Sequence, residues 1–362
     1  MSAESRATAR LAVGVIGTGR VGAVLGAALA RAGHHVVAGT GVSAESVRRA
    51  QRLLPGVPLL PADEVVACAD LVLLAVPDDE LAPLVAGLAE TGAWRPGQLV
   101  AHTSGAHGVA VLAPAARAGV LPLAVHPAMT FTGAAEDLDR LAGTTFGVTA
   151  PDPLLPVAEA LVLEIGGNPV AVPEEARPLY HAALVVGANH LVTLVNEAAD
   201  LLRRAGVRQP ARVLGPLLAA ALDNALRGGD EALTGPVSRG DAGTVAGHLR
   251  TLSEHAPDSV AGYVALARLT AGRALASGRL SPAQAGPLLD VLGRVPRPAD
   301  GAGDAQTPTG VPRRRRARAW FVAADTAPVS ATPRPGRTTP GRRPRPPTAE
   351  GLALPARTRT DA

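Results

Sequence analysis

The sequence predicts an α/β fold: a doubly wound parallel sheet, then an all-α helical domain, then a disordered C-terminal tail. Three observations predict it. Short apolar runs alternate with helix-period segments through residues 1–150, the order of repeated βαβ units. The strand runs are continuously apolar instead of alternating, as suits strands covered on both faces. From about residue 174 the pattern is helical throughout, until composition changes near Leu292.

In chain order, a short extension (residues 1–10) precedes "LAVGVI", a strand, and Arg20 to Ala32, a helix. "HHVVAG" is a second strand and Ala44 to Leu54 a second helix. "GVPLL" is expected as a third strand and "ADLVLLAV" as a fourth, followed by a helix from Asp79 to Ala89. "GQLVAH", "VLPLAVH" and "TTFGVTA" complete the sheet of a domain spanning residues 11–150. After the helical "DPLLPVAEALVLEIGG" no further strand is expected. Glu174 to Ala205 forms one long apolar helix, which needs other helices or a second subunit to cover it. Helices follow at Pro210 to Arg227, Asp241 to His255, Asp258 to Ser277, and from Pro282, capped by Ser281, to Leu292. These make a helical substrate and dimerisation domain over residues 151–293.

Residues 294–362 read as a disordered tail, because a Pro, Gly, Thr and Arg mixture with no amphipathic period cannot bury enough apolar surface to offset chain entropy. The tail holds 14 arginines against 5 acidic residues, whereas the rest of the chain holds 21 against 26. The net charge of +4 therefore hides an acidic folded part. A solvated tail without a specific nucleic-acid partner is expected of "RRRRAR".

Of the 362 residues 47% are hydrophobic but only 2% aromatic, so the core is built from Ala, Val and Leu, with no aromatic platform for stacking bases. All 35 basic residues are arginine. The absence of lysine excludes Schiff-base chemistry and a lysine general acid. One cysteine, Cys68, excludes an internal disulfide and a cysteine-rich metal site, and fits a reducing, cytoplasmic setting. Leu11 to Ala30 is interrupted by glycines and Arg20, and no later run is expected to reach membrane length.

"GTGRVG" (Gly17, Thr18, Gly19, Arg20, Val21, Gly22) follows the first strand and opens the first helix. In that context G-x-G-x-x-G is the Rossmann dinucleotide fingerprint: a tight turn, a close backbone approach to pyrophosphate, and helix amides aimed at the anion. After the second strand the chain offers Thr40 and Ser43 but no acid before Glu45, and Arg48 and Arg49 follow, which favours NADP over NAD. Val76, Pro77 and Asp78, at the end of "LLAVPDDEL", fall where the chain passes beneath the nicotinamide riboside.

Hydride transfer to a carbonyl or imine needs a proton donor. His102 and His126 each follow an apolar strand at the ligand-binding edge; His107, His181 and His190 have weaker claims. His126 is the candidate for acid/base or orienting work, Asn189 for polarising the substrate and Ser104 for positioning it. The metal class has no candidate ligand set.

The passages "GTGRVG", "AVPDDEL", "HTSGAHG", "HPAMTF", "ANHLVTL" and "LTGPVSRGDAGTVAGHL" together resemble Rossmann-like oxidoreductases whose helical C-terminal part is a domain of unknown function. More distantly the chain is similar to pyrroline-carboxylate, ketopantoate and β-hydroxyacid reductases. The resemblance implies NADP-linked redox chemistry and a helical dimerisation domain; an NADP(H)-dependent reductase or dehydrogenase acting on a small carboxylate-bearing carbonyl or imine compound, and a homodimer, are the expectation. It also implies that Gly235 to His248 closes over the nicotinamide, with Arg239 on a substrate carboxylate, Asp241 capping the helix and His248 supporting it. Where the hydroxyacid and ketopantoate enzymes use a lysine, this chain has Asn189 nearby. A catalytically silent NADP-binding sensor or scaffold is the alternative class, and "HPAM" keeps a prephenate or arogenate dehydrogenase-like enzyme as a third.

Overall fold

The computed structural model describes residues 10–294; the readings of residues 1–9 and of the tail lie outside them. Seven strands, β1 (Ala12–Ile16), β2 (His35–Thr40), β3 (Leu71–Leu74), β4 (Leu99–His102), β5 (Leu121–Pro127), β6 (Thr145–Thr149) and β7 (Asn168–Ala171), form one sheet in the order β2-β1-β3-β4-β5-β6-β7. All neighbouring pairs are parallel except β5 with β6. Helices α1 (Arg20–Arg31), α2 (Ala44–Leu53), α3 (Ala62–Cys68), α4 (Asp78–Glu90), α5 (Ala113–Ala116), α6 (Glu136–Arg140) and α7 (Leu155–Glu164) lie between the strands.

Alternation along the strands builds two cores. Ile16, Val72, Leu74 and Val100 face α3 and α4, packing with Val65, Leu84 and Leu88. Val13, Val15, Leu71, Leu73 and Phe146 face α1 and α7, packing with Leu25, Leu29 and Val162. Both faces being covered explains the continuous apolar runs. The β1 and β3 connections leave to opposite sides, so the strand order reverses between them and opens a crevice at their C-terminal ends.

Three expectations need correction. "GVPLL" makes only one bridge, Gly39 with Leu59, because Pro58 has no N–H to extend a ladder; α3 follows directly. Strands do not end at residue 150: β7 adds a parallel edge strand that is mostly exposed and contains Pro169, so it lacks the apolar run that marks buried strands. A later run does reach membrane length: Glu174–Arg204 is a 31-residue helix long and apolar enough to cross a membrane by length and composition, and none of its most apolar 18-residue window is buried. Its His181, Gly187, Asn189 and His190 break the uninterrupted apolar run while leaving the average hydropathy high.

That helix comprises a first 3₁₀ turn (Glu174–Ala176), α8 (Arg177–Leu184), a π-turn (Val185–Asn189) and α9 (His190–Arg204). Four more follow: α10 (Pro210–Gly228), α11 (Ala242–His255), α12 (Val260–Ala276) and α13 (Pro282–Gly293). Asp241 caps α11, accepting from the Thr244 amide at 3.0 Å, and Ser281 with Gln284 forms a capping box on α13. Val245, Val264, Ala271, Leu280, Leu288 and Leu292 form a separate small core among α11, α12 and α13.

Candidate functional site

β1 ends in a turn that only this glycine spacing allows. Gly17 has φ +97°, and a Cβ there would stand 2.5 Å from the Ala75 carbonyl oxygen. The Gly17 and Thr18 amides both donate to the Thr40 carbonyl, at 3.1 and 2.9 Å, which pins the turn to the end of β2. A Cβ on Gly22 would overlap the Gly17 carbonyl and stand 2.8 Å from Ala75 Cβ, so α1 lies hard against the turn. At Gly19 the constraint is different: φ is −70°, and a Cβ would meet nothing within 4 Å. Gly19 opens α1 with no side-chain cap, and the first intrahelical bond runs from Ala23 to Gly19. The amides of Arg20, Val21 and Gly22 thus lack intrahelical acceptors and, with the helix dipole, suit an anion. Val76 faces Gly17 across the crevice, and Pro77 and Asp78 begin α4. A pyrophosphate fits this cradle, held by the amides of residues 20–22 and not by those of Gly17 and Thr18.

Beside it, Thr40 donates its hydroxyl to the Leu60 carbonyl at 2.9 Å, and Ser43 caps α2 by a capping box with Ser46. Neither hydroxyl is idle. Glu45, the first acid after β2, pairs with Arg49 at 2.6 Å. Arg48 is exposed, whereas Arg49 is only 6% exposed and its Nε has no hydrogen-bond partner among the described residues. Gly133, φ +80°, lies against the side chains of both Arg49 and Arg20.

The ends of β4 and β5 carry the titratable cluster. His102 is fully buried; its Nε2 bonds the Gly108 carbonyl at 2.9 Å and its Nδ1 accepts from the Ser104 amide at 3.2 Å, so the ring organises the turn after β4. Burial, then the charge of Arg177, lowers its pKa from 6.5 to about 4. Ser104 is buried in that turn and its hydroxyl accepts from the His107 amide. Glu174, opening the long helix, accepts from the Val109 and Ala110 amides at 2.7 and 3.0 Å, and the close passage of its carboxylate leaves no room for a side chain at Gly108.

His126 ends β5 with Nδ1 3.0 Å from the Tyr180 hydroxyl, ring against ring at 5.6 Å and 89°. His181 is edge-on to it at 6.0 Å, and Gly105 lies beside the His126 Nε2 edge. Burial, then Arg177 and His181, lowers the His126 pKa to about 4; burial raises that of Tyr180. At pH 7 the pair is therefore a neutral imidazole and a neutral phenol. If the phenol donates to Nδ1, the imidazole proton sits on Nε2, facing the Gly105 turn.

Arg177 is the residue sequence reasoning missed. It is 0% exposed, with no carboxylate bonded to it among the described residues, and donates to the Thr149 hydroxyl at 2.7 Å and to the carbonyls of Ala124, Gly147 (both 3.0 Å) and Ser104 (3.4 Å). Its guanidinium stands 5.8 Å from the Tyr180 ring centroid. It ties α8 to β5, β6 and the turn after β4, and fixes a positive charge behind both histidines. No local signal in "EEARPLY" marks this arginine as buried, since its acceptors come from distant strands. Tyr180 was also missed; its position one residue before His181 was the available hint.

The structure does not bring the remaining candidates to this edge. Asn189 ends the π-turn and is exposed, as is His190. Arg239 is exposed on the loop before α11, and among the described residues no hydrogen bond or ion pair joins that loop to the sheet.

The chain matches the Rossmann-like domain over residues 2–127 and a domain of unknown function, DUF2520, over residues 144–270. It joins a Rossmann-like domain to a DUF2520 domain. The DUF2520 segment covers β6, α7, β7, the long helix, α10, α11 and part of α12. Among solved structures, this pairing is similar to a Bacteroides fragilis protein classed as an NADP oxidoreductase, with 24% identity over 73% of this chain and 98% of that one and a TM-score of 0.62. A Thermotoga maritima protein shares 20% identity over 74% and 99%, with a TM-score of 0.53. An imine reductase from a Pseudomonas species shares 20% over 74% and 96%, with a TM-score of 0.52. At these identities the likeness is one of fold. No curated protein matches the chain.

Proposed function

We propose that the protein is an NADP(H)-dependent oxidoreductase acting on a small carboxylate-bearing carbonyl or imine compound. The carrying observation is the uncapped first turn of α1, opening on the crevice between β1 and β3, with the neutral His126–Tyr180 pair two strands away on the same sheet edge. When bound, the coenzyme supplies or takes the hydride. The chain's own part is the proton. His126 Nε2–H donates to the substrate oxygen or nitrogen as the Tyr180 phenol gives its proton to Nδ1, and solvent then returns a proton to the phenolate. Arg177 stands against the Tyr180 ring, and burial together with its charge keeps the imidazole neutral. The occupied carboxylate of Glu45 and the exposed Arg48 support a 2′-phosphate over a free ribose diol.

The names of the similar solved structures, an NADP oxidoreductase and an imine reductase, support the same class. A screen of oxo acids and cyclic imines, following loss of NADPH absorbance, tests the reading. Turnover that falls at least about tenfold in His126→Gln and Tyr180→Phe supports it. NADPH binding without turnover of any compound would instead favour a sensor.

We also propose a homodimer through the long helix and α10. Leu179 (76% exposed), Val186, Val192, Leu217 and Leu226 (80%) are large apolar side chains left exposed along these helices. Sedimentation at the dimer mass supports this; a monomer mass overturns it.

A further inference from the structure

The passage from Leu233 to Leu249 takes no part in the sheet-edge chemistry, and its geometry is that of a rigid platform. Gly235 and Gly240 have φ of +94° and +74°. The Ser238 hydroxyl is buried and donates to the Gly235 carbonyl at 3.1 Å; the Gly240 and Asp241 amides donate to Val237 and Pro236. A Cβ on Gly240 would stand 2.9 Å from both Gln284 Cβ and Leu280 Cδ1, so the loop is pressed onto α13. The Asp241 carboxylate is committed to Thr244, accepting from its amide and its hydroxyl at 3.0 and 2.7 Å.

With its own polar groups satisfied, the loop presents Arg239 outward. Two open cavities of about 320 and 340 Å³ adjoin there and share Thr234. Arg239 and Arg279 line the first; both are exposed, and neither makes an ion pair or a side-chain hydrogen bond among the described residues. The second is bounded by Val237, Leu266 and the His248–Tyr263 pair, hydrogen-bonded at 2.9 Å with rings edge to face. Two unpaired guanidiniums beside an apolar recess walled by an aromatic ring define a ligand with a charged head and an apolar body.

We propose that these joined cavities bind a small organic monocarboxylate bearing an aryl or branched alkyl group, with Arg239 and Arg279 on the carboxylate and Tyr263, Val237 and Leu266 against the body. The recess exceeds the roughly 150 Å³ that holds a benzene ring. The binding does not rest on the oxidoreductase reading.

The test is fluorine NMR of the full chain with para-fluorophenylacetate, and with para-fluorobenzyl alcohol as the uncharged control. NADPH titrations are run on the same samples. The acid should bind at least roughly tenfold more tightly than the alcohol, and Arg239→Ala or Arg279→Ala should each remove about tenfold of its affinity. NADPH affinity and melting temperature should stay unchanged in both variants. Equal affinity for acid and alcohol, acid binding indifferent to both substitutions, or loss of NADPH binding in the variants would overturn the proposal. Acid binding in a protein that takes no NADPH would leave this site standing and remove the oxidoreductase reading.

Discussion

The molecule contains the same side-chain pair twice. His126 with Tyr180 and His248 with Tyr263 are each hydrogen-bonded through Nδ1, at 3.0 and 2.9 Å, with rings nearly perpendicular. Their surroundings differ. The first pair is partly buried at the sheet edge in front of a fully buried arginine; the second lies in the helical region, with an exposed histidine beside two exposed arginines. The contrast teaches that the pair sets geometry while the environment sets charge. Burial and the fixed cation Arg177 lower the His126 pKa to about 4, so it works as a neutral ring. On the exposed side the arginines face solvent and remain available to a ligand.

Removing Arg177 should erase that contrast most completely. Arg177→Met leaves the Ala124, Gly147 and Ser104 carbonyls without their donor. We expect a loss of about 3 kcal/mol in denaturant unfolding, with the His126 pKa rising in an NMR titration. An unchanged His126 pKa would mean that Arg177 does not contribute to it.

Acid should weaken the buried pair next. His102 and His126 have folded pKa values of about 4 against the usual 6.5, so the unfolded chain binds more protons between those values. Their contribution is complete above pH 6.5 and is lost as pH falls toward 4. Melting temperature should therefore drop across that window, less steeply in His126→Gln. Parallel profiles for wild type and His126→Gln would contradict the account.

The smallest effect comes from the hydroxyls. Tyr180→Phe should cost about 1 kcal/mol and Tyr263→Phe about half of that or less, since solvent replaces the exposed hydrogen bond. Equal losses would show that burial does not distinguish the two sites.

What was legible in the sequence follows from how locally each feature is encoded. The "GTGRVG" turn and the caps at Asp241 and Ser281 depend on neighbours within a few residues, and all three are present as read. Buried strands announced themselves by apolar runs. The edge strand β7, half-polar and carrying Pro169, did not; nor did α3, a two-turn helix between a proline and β3. At the site, His126 was legible because it ends a strand. Arg177 was not, because three carbonyls and a hydroxyl from separate elements converge on it only after the sheet forms. The hydroxyls of Thr40, Ser43 and Ser104 were read as ligand contacts. Their bonds to Leu60, Ser46 and the His107 amide reveal turn-building work invisible in composition.

The central claim is that the open first turn of α1 receives a coenzyme pyrophosphate, and Gly19→Val tests it most directly. A Cβ there meets nothing within 4 Å and the backbone is extended, so the variant should melt with the wild type. Isothermal titration should show NADPH binding to the wild type and none to Gly19→Val. Absence of heat with the wild-type protein, or the same heat with both, would contradict it.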